Sequence, residues 1–153
     1  MTSSARGAQA PRRDRSIANG VLLDTGALVA LYARDDPKHT EVARWIAGFK
    51  GQMHSVVPVL TEAAFFLPAR SRGAIAGLVA RGTIALHYPD ASGYARIADL
   101  FGKYADQDPD WADMELVWLA ETTGITRIAT LDVADFSVYR IHGRKRFELE
   151  LLR

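Results

Sequence analysis

From Val21 onward, short apolar runs alternate with stretches in which apolar residues recur every three to four positions. Val21-Leu22-Leu23 reads as a buried strand that stops at Asp24, and Ala27, Leu28, Leu31 and Tyr32 then fall at helical spacing. Asp36-Pro37 has the form of an N-cap and a first-turn proline. It is followed by Val42, Trp45, Ile46 and Phe49 at i, i+3, i+4 and i+7, which predicts a second helix. Met53 to Val57 is a second strand candidate. Pro58 opens an apolar helix to about Leu67, which Pro68 limits, and a helix carrying Ile75, Leu78 and Val79 succeeds it. Thr83 to His87 predicts a third strand, and Tyr94, Ile97, Ala98, Phe101 and Tyr104 an amphipathic helix. Asp110 can cap a helix to about Thr123, with Gly124 at its C′ position, and Arg127 to Leu131 is a fourth strand ending near Asp132. Strands alternating with helices predict an α/β fold with a mainly parallel sheet covered on both faces, where ligands bind beyond the carboxyl ends of the strands. Asp24 and Asp132 both lie there.

A chain of 153 residues, 48% of them hydrophobic, is sized for one domain with a real core. Its formal net charge of +1 gives no global excess that would mark a histone-like or membrane-surface protein, so any polyanion contact must be local. The absence of cysteine removes a disulfide framework, a thiolate zinc site and a cysteine nucleophile. No apolar run approaches the roughly 18 residues of a membrane span and the N-terminus lacks an apolar leader, so the expectation is a cytoplasmic protein without a membrane partner. Residues 1–19 are small, polar and basic, with Arg6, Arg12, Arg13 and Arg15 against Asp14 alone, and read as a flexible basic extension ahead of a domain spanning 20–153.

Carboxylates carry the concentrated chemistry. Asp24 is placed either to cap the helix from Thr25 or to project into the crevice at the strand end. Glu62 lies in a helix apolar nearly all round, with Val59, Leu60, Ala63, Ala64, Phe66 and Leu67 as neighbours. A carboxylate is rarely buried without a partner, so it either reaches a polar cleft or pairs with Arg70 or Arg72. Asp113, in the first turn of another apolar helix, can close a capping-box-like pair with Asp110 or hold a metal ion. Asp132 and Asp135 follow the fourth strand, whereas Asp35, Asp36, Asp106 and Asp108 lie in proline-containing loops as solvated caps. Like charges about 4 Å apart repel by roughly 1 kcal/mol in water and about 4 kcal/mol at an effective dielectric near 20. Converging carboxylates would therefore raise one another's pKa or splay unless a divalent cation neutralised them, and an oxygen-only site suits Mg²⁺ or Mn²⁺.

Taken in order, Val-Leu-Leu-Asp24-Thr-Gly-Ala-Leu-Val-Ala-Leu, Leu-Thr-Glu62-Ala, Ala-Asp113-Met-Glu-Leu-Val-Trp-Leu-Ala and Thr130-Leu-Asp132-Val-Ala-Asp135-Phe resemble the PIN-domain nucleases, specifically VapC-type toxins, over about Gly20 to Tyr139. The resemblance implies a three-layer α/β/α fold around a mainly parallel sheet of four or five strands. It also implies a metal-dependent endoribonuclease, with Asp24 and Asp113 as the main Mg²⁺ or Mn²⁺ ligands and Glu62 and Asp132 completing a catalytic pocket. Asp135 would be auxiliary, and Thr25 and Thr130 would orient phosphate or water. The serine familiar after the first threonine is Gly26 here, a common variant, and Met114 and Trp118 replace smaller residues. Kinship further implies an RNA substrate, a homodimer and a cognate antitoxin. Hydrolysis would leave a 5′-phosphate and a 3′-hydroxyl.

Other chemistries lack their residues. There is no second acid of an Asp-x-Asp phosphatase motif after Asp24, and no Gly-x-Gly-x-x-Gly or Gly-Lys-Ser/Thr loop. Nor is there a Gly-x-Ser-x-Gly elbow, and His39, His54, His87 and His142 have no paired ligand spacing. RNA contacts would come from Arg34, Lys38, Arg70, Arg72, Arg81, Arg144, Lys145 and Arg146. The competing reading is a PIN-like module that binds RNA or protein without cutting; a phosphorylatable receiver using Asp24 ranks below it.

Overall fold

The computed structural model describes residues 15–152. In chain order the elements are α1 (Arg15–Ala18), β1 (Gly20–Leu23), α2 (Thr25–Tyr32), α3 (His39–Gly48), β2 (Gln52–Val56), α4 (Val57–Phe65), α5 (Ala69–Ala80) and β3 (Ile84–His87). Then follow α6 (Ala91–Lys103), α7 (Trp111–Thr123), β4 (Arg127–Ala129), α8 (Val133–Val138), β5 (Arg140–Ile141), β6 (Lys145–Arg146) and β7 (Glu148–Leu149). Of the basic extension expected at 1–19, residues 1–14 lie outside the described residues. Arg15–Ala18 form one helical turn, and Ile17 packs against the core ahead of β1.

The five-stranded sheet runs β3-β2-β1-β4-β7, and every pairing in it is parallel. β1 is central: all four of its residues are buried, as a strand covered on both faces requires. The chain builds outward from β1 through β2 to β3, then returns across the sheet to place β4 on the other side of β1. That reversal between β1 and β4 opens a crevice at their carboxyl ends, the usual ligand position of an open α/β sheet. Among the described residues no helix is long and apolar enough to cross a membrane.

α4 starts with Pro58 in its first turn and α7 ends on Gly124 at φ 78°, both as the sequence predicts. α3 departs from the prediction. It starts at His39, not at Pro37, because the Asp36 carboxylate accepts the Lys38 N–H at 2.8 Å and closes a local turn that holds Pro37 outside the helix. The fifth strand, β7, has two residues and joins β4 through Arg127↔Glu148 and Ile128↔Leu149, too short to leave a periodic signal.

Candidate metal centre

Asp24 leaves the end of β1 with only 6% of its surface exposed. Its backbone N–H continues the sheet by donating to the Ala129 carbonyl, and its side chain caps α2 by accepting the Thr25 N–H at 2.8 Å. The second carboxylate oxygen accepts the Thr130 hydroxyl at 2.7 Å. Capping and projection into the crevice are thus one arrangement. Burial, reinforced by the charges of Asp132 and Glu62, raises the Asp24 pKa from 3.8 to about 6 against the lowering effect of those hydrogen bonds.

Glu62 takes the cleft alternative. Its Oε2 accepts the Thr25 hydroxyl at 3.0 Å. Arg72 instead donates to the Ala64 carbonyl, and no ion pair of the described residues includes Glu62. Thr25 therefore bridges Asp24 and Glu62, through its N–H and its hydroxyl respectively.

Asp113 projects from the first turn of α7, a helix buried from Ala112 to Ala120. The capping box with Asp110 does not form: Asp110 makes no side-chain cap, and Asp113 Oδ2 accepts the Tyr139 hydroxyl at 2.9 Å. Burial, then the charge of Asp24, push the Asp113 pKa up from 3.8 to about 8, with Asp110 and Asp135 adding to the rise and the tyrosine hydrogen bond opposing it. Asp132 caps α8 by accepting the Asp135 N–H at 3.1 Å, and its own N–H donates to the Thr130 hydroxyl oxygen. The Asp135 pKa is raised by burial and by Asp132.

One carboxylate oxygen each from Asp113, Asp132 and Asp135 lie within 4.8 Å of one another. Asp24 is not one of these three, but it is linked to them: its charge raises the Asp113 pKa, the charge of Asp132 raises its own, and Thr130 bonds both Asp24 and the Asp132 N–H. None of these acids takes part in an ion pair of the described residues. Converging carboxylates with no ion-paired cationic side chain among the described residues to balance them are the donor set of a hard divalent cation. The residues fit Mg²⁺ or Mn²⁺ on that ground.

The PIN domain family model matches residues 21–140, from the second residue of β1 to the first of β5. This chain belongs to the PIN domain family. Among solved structures, the PIN fold seen here is similar to that of Mycobacterium tuberculosis VapC20, a toxin that cleaves the sarcin-ricin loop. The match has a TM-score of 0.69 and 17% identity over 74% of this chain and 91% of that one. A search of the curated proteins found no significant match.

Two features of this PIN domain escape a reading of the sequence. Tyr139 is fully buried beneath Asp113, and nothing in an apolar pattern shows where a tyrosine hydroxyl points. His54 and His87, 33 residues apart, meet across β2 and β3 at 2.8 Å, although the spacing of the histidines carries no sign of a pair. Glu115, also buried in α7, stays outside the acid cluster, accepting the Trp111 indole N–H at 3.3 Å while burial raises its pKa. Of the basic candidates, Lys38 pairs with Glu41, and Arg34 and Arg70 line a cavity of about 860 Å³ with Tyr32, His39 and Phe66. Arg81 and the run Arg144-Lys145-Arg146 are exposed.

Proposed function

We propose that this PIN domain is a metal-dependent endoribonuclease of the VapC toxin type, cutting RNA phosphodiester bonds at the carboxylate cluster with Mg²⁺ or Mn²⁺. The observation that carries the reading is the convergence of Asp113, Asp132 and Asp135 within 4.8 Å, with the charge of Asp24 raising the Asp113 pKa. Asp24 and Asp113 hold the ion, and Glu62 and Asp132 complete the pocket. When bound, the ion supplies Lewis-acid stabilisation of phosphoryl charge and lowers the pKa of water.

The protein's own groups set the geometry. The Thr130 hydroxyl donates to Asp24 and accepts from the Asp132 N–H, so one side chain fixes two acids relative to each other. Thr25 does the same for Asp24 and Glu62. Asp135 shares charge with the cluster as an auxiliary acid. In-line attack by water on phosphorus with the 3′ oxygen of the ribose as leaving group would give a 5′-phosphate and a 3′-hydroxyl, the products that the family resemblance implies. A second copy of the chain, a cognate antitoxin and a cytoplasmic setting belong to the same reading.

The test is cleavage of end-labelled RNA with Mg²⁺ or Mn²⁺, with EDTA, and with an Asp113→Asn protein. Metal-dependent cutting lost in the variant is the expected result. Cutting that survives both chelation and substitution, or 2′,3′-cyclic phosphate ends, contradicts the mechanism. Tight RNA or protein binding without cleavage replaces it with a non-catalytic module.

A further inference from the structure

The structure assigns Tyr139 as a positioning residue of the metal centre: its hydroxyl holds the Asp113 carboxylate in the triangle with Asp132 and Asp135 and so sets the affinity for a divalent cation. This inference rests on the functional reading above. Asp113 belongs to α7, whereas Asp132 and Asp135 belong to the segment that caps and opens α8. Tyr139 follows α8 directly, and its 2.9 Å bond is the side-chain hydrogen bond that Asp113 makes among the described residues. It ties the two elements that supply the cluster. Without it, a carboxylate facing the charges of Asp24, Asp110 and Asp135 is free to turn away from them.

The ring is fixed for that task. It packs edge-on against Tyr104 at 5.0 Å and Phe136 at 5.2 Å, and Phe136 packs in turn on Phe147 at 5.4 Å. The residue after it is also pinned, because the Arg140 N–H donates to the Tyr104 hydroxyl at 2.9 Å. A residue needed only to fill this space would serve as phenylalanine, whereas a buried hydroxyl requires a partner, and the partner here is an acid of the cluster. Groups that hydrogen-bond a metal-ligating side chain orient it, and losing one typically lowers metal affinity by about 10- to 100-fold.

The test compares the metal-free full chain with its Tyr139→Phe variant, reading Mn²⁺ affinity from the electron paramagnetic resonance signal of the free ion. Affinity about 10- to 100-fold weaker is expected, with an unchanged circular dichroism spectrum and with RNA cleavage recovered as Mn²⁺ is raised. Ile84→Val, a packing loss in β3, which supplies no acid of the cluster, is expected to lower the unfolding temperature while Mn²⁺ affinity stays unchanged. Equal Mn²⁺ affinity in wild type and Tyr139→Phe overturns the assignment. A wild-type chain that takes up no Mn²⁺ overturns it together with the metal centre. Should Tyr139→Phe not fold, nuclear magnetic resonance of the wild type decides: substoichiometric Mn²⁺ is expected to broaden the Tyr139 ring signals before those of Tyr32 at the far end of α2, and the reverse order overturns the assignment.

Discussion

Asp24 and Asp113 bind their protons more tightly in the folded chain than free aspartate does, at about 6 and about 8 against 3.8. The unfolded chain releases both protons as pH rises past 3.8, while the native state keeps them until the higher values are passed. Between those limits the native state binds more protons, so metal-free stability is highest at the acidic end and falls from about pH 4 to about pH 8. For Asp24 alone the loss is on the order of 3 kcal/mol. Urea titrations in EDTA across this range are expected to show a falling midpoint with an unchanged slope; a midpoint that rises through the same interval contradicts the burial of these charges. Asp113→Asn removes the charge and keeps an oxygen for the Tyr139 hydroxyl. Metal-free at pH 8 it is expected to unfold at a higher denaturant concentration than the wild type. At this scale the acids are legible in the sequence because a carboxylate inside an apolar pattern needs an explanation. Tyr139 is not, since its ring satisfies the pattern and only its hydroxyl is unusual.

At the level of elements, the site depends on how β1 hands over to α2 and β4 to α8. Asp24 ends the one and starts the other, so the residue that terminates the strand also caps the helix. Gly26, in the first turn of α2, is not demanded by crowding: an added Cβ would lie 3.6 Å from Leu131, an ordinary contact. Gly26→Ala is therefore expected to stabilise the fold by about 0.5–1 kcal/mol in denaturant titrations, and a destabilised variant would show that α2 needs the bare backbone. Thr130 is buried and serves Asp24 and the Asp132 N–H at once. Thr130→Val removes the hydroxyl partner of Asp24 Oδ2 and of the Asp132 N–H, for which a loss of about 1–3 kcal/mol is expected by the same measurement. The helices were legible from their 3.6-residue period and from Pro58 and Gly124. The start of α3 is not legible, because Asp36 spends its carboxylate on a turn, and β7 is unmarked because two residues define no period.

Across the whole molecule, the strand order decides that chemistry from distant segments meets. The return of the chain past β1 brings the ends of β1 and β4 together, and α7 delivers Asp113 to the same crevice. Alternating strands and helices predicted this crevice in kind, yet only the tertiary fold shows which acids share it and that Glu62 turns to Thr25, away from an arginine. If an ion stabilises the cluster, Mn²⁺ at 100 times its dissociation constant is expected to add about 2.7 kcal/mol at pH 8. The gain should shrink toward pH 5, where Asp24 and Asp113 take up protons; calorimetric scans with and without EDTA measure it. The most direct measurement is the anomalous scattering of a crystal grown with Mn²⁺. One strong peak bonded to oxygens of Asp24 and Asp113, with Asp132 and Glu62 around it, is the predicted result. Density for those carboxylates without a peak among them, at Mn²⁺ concentrations that support cleavage, would contradict the account.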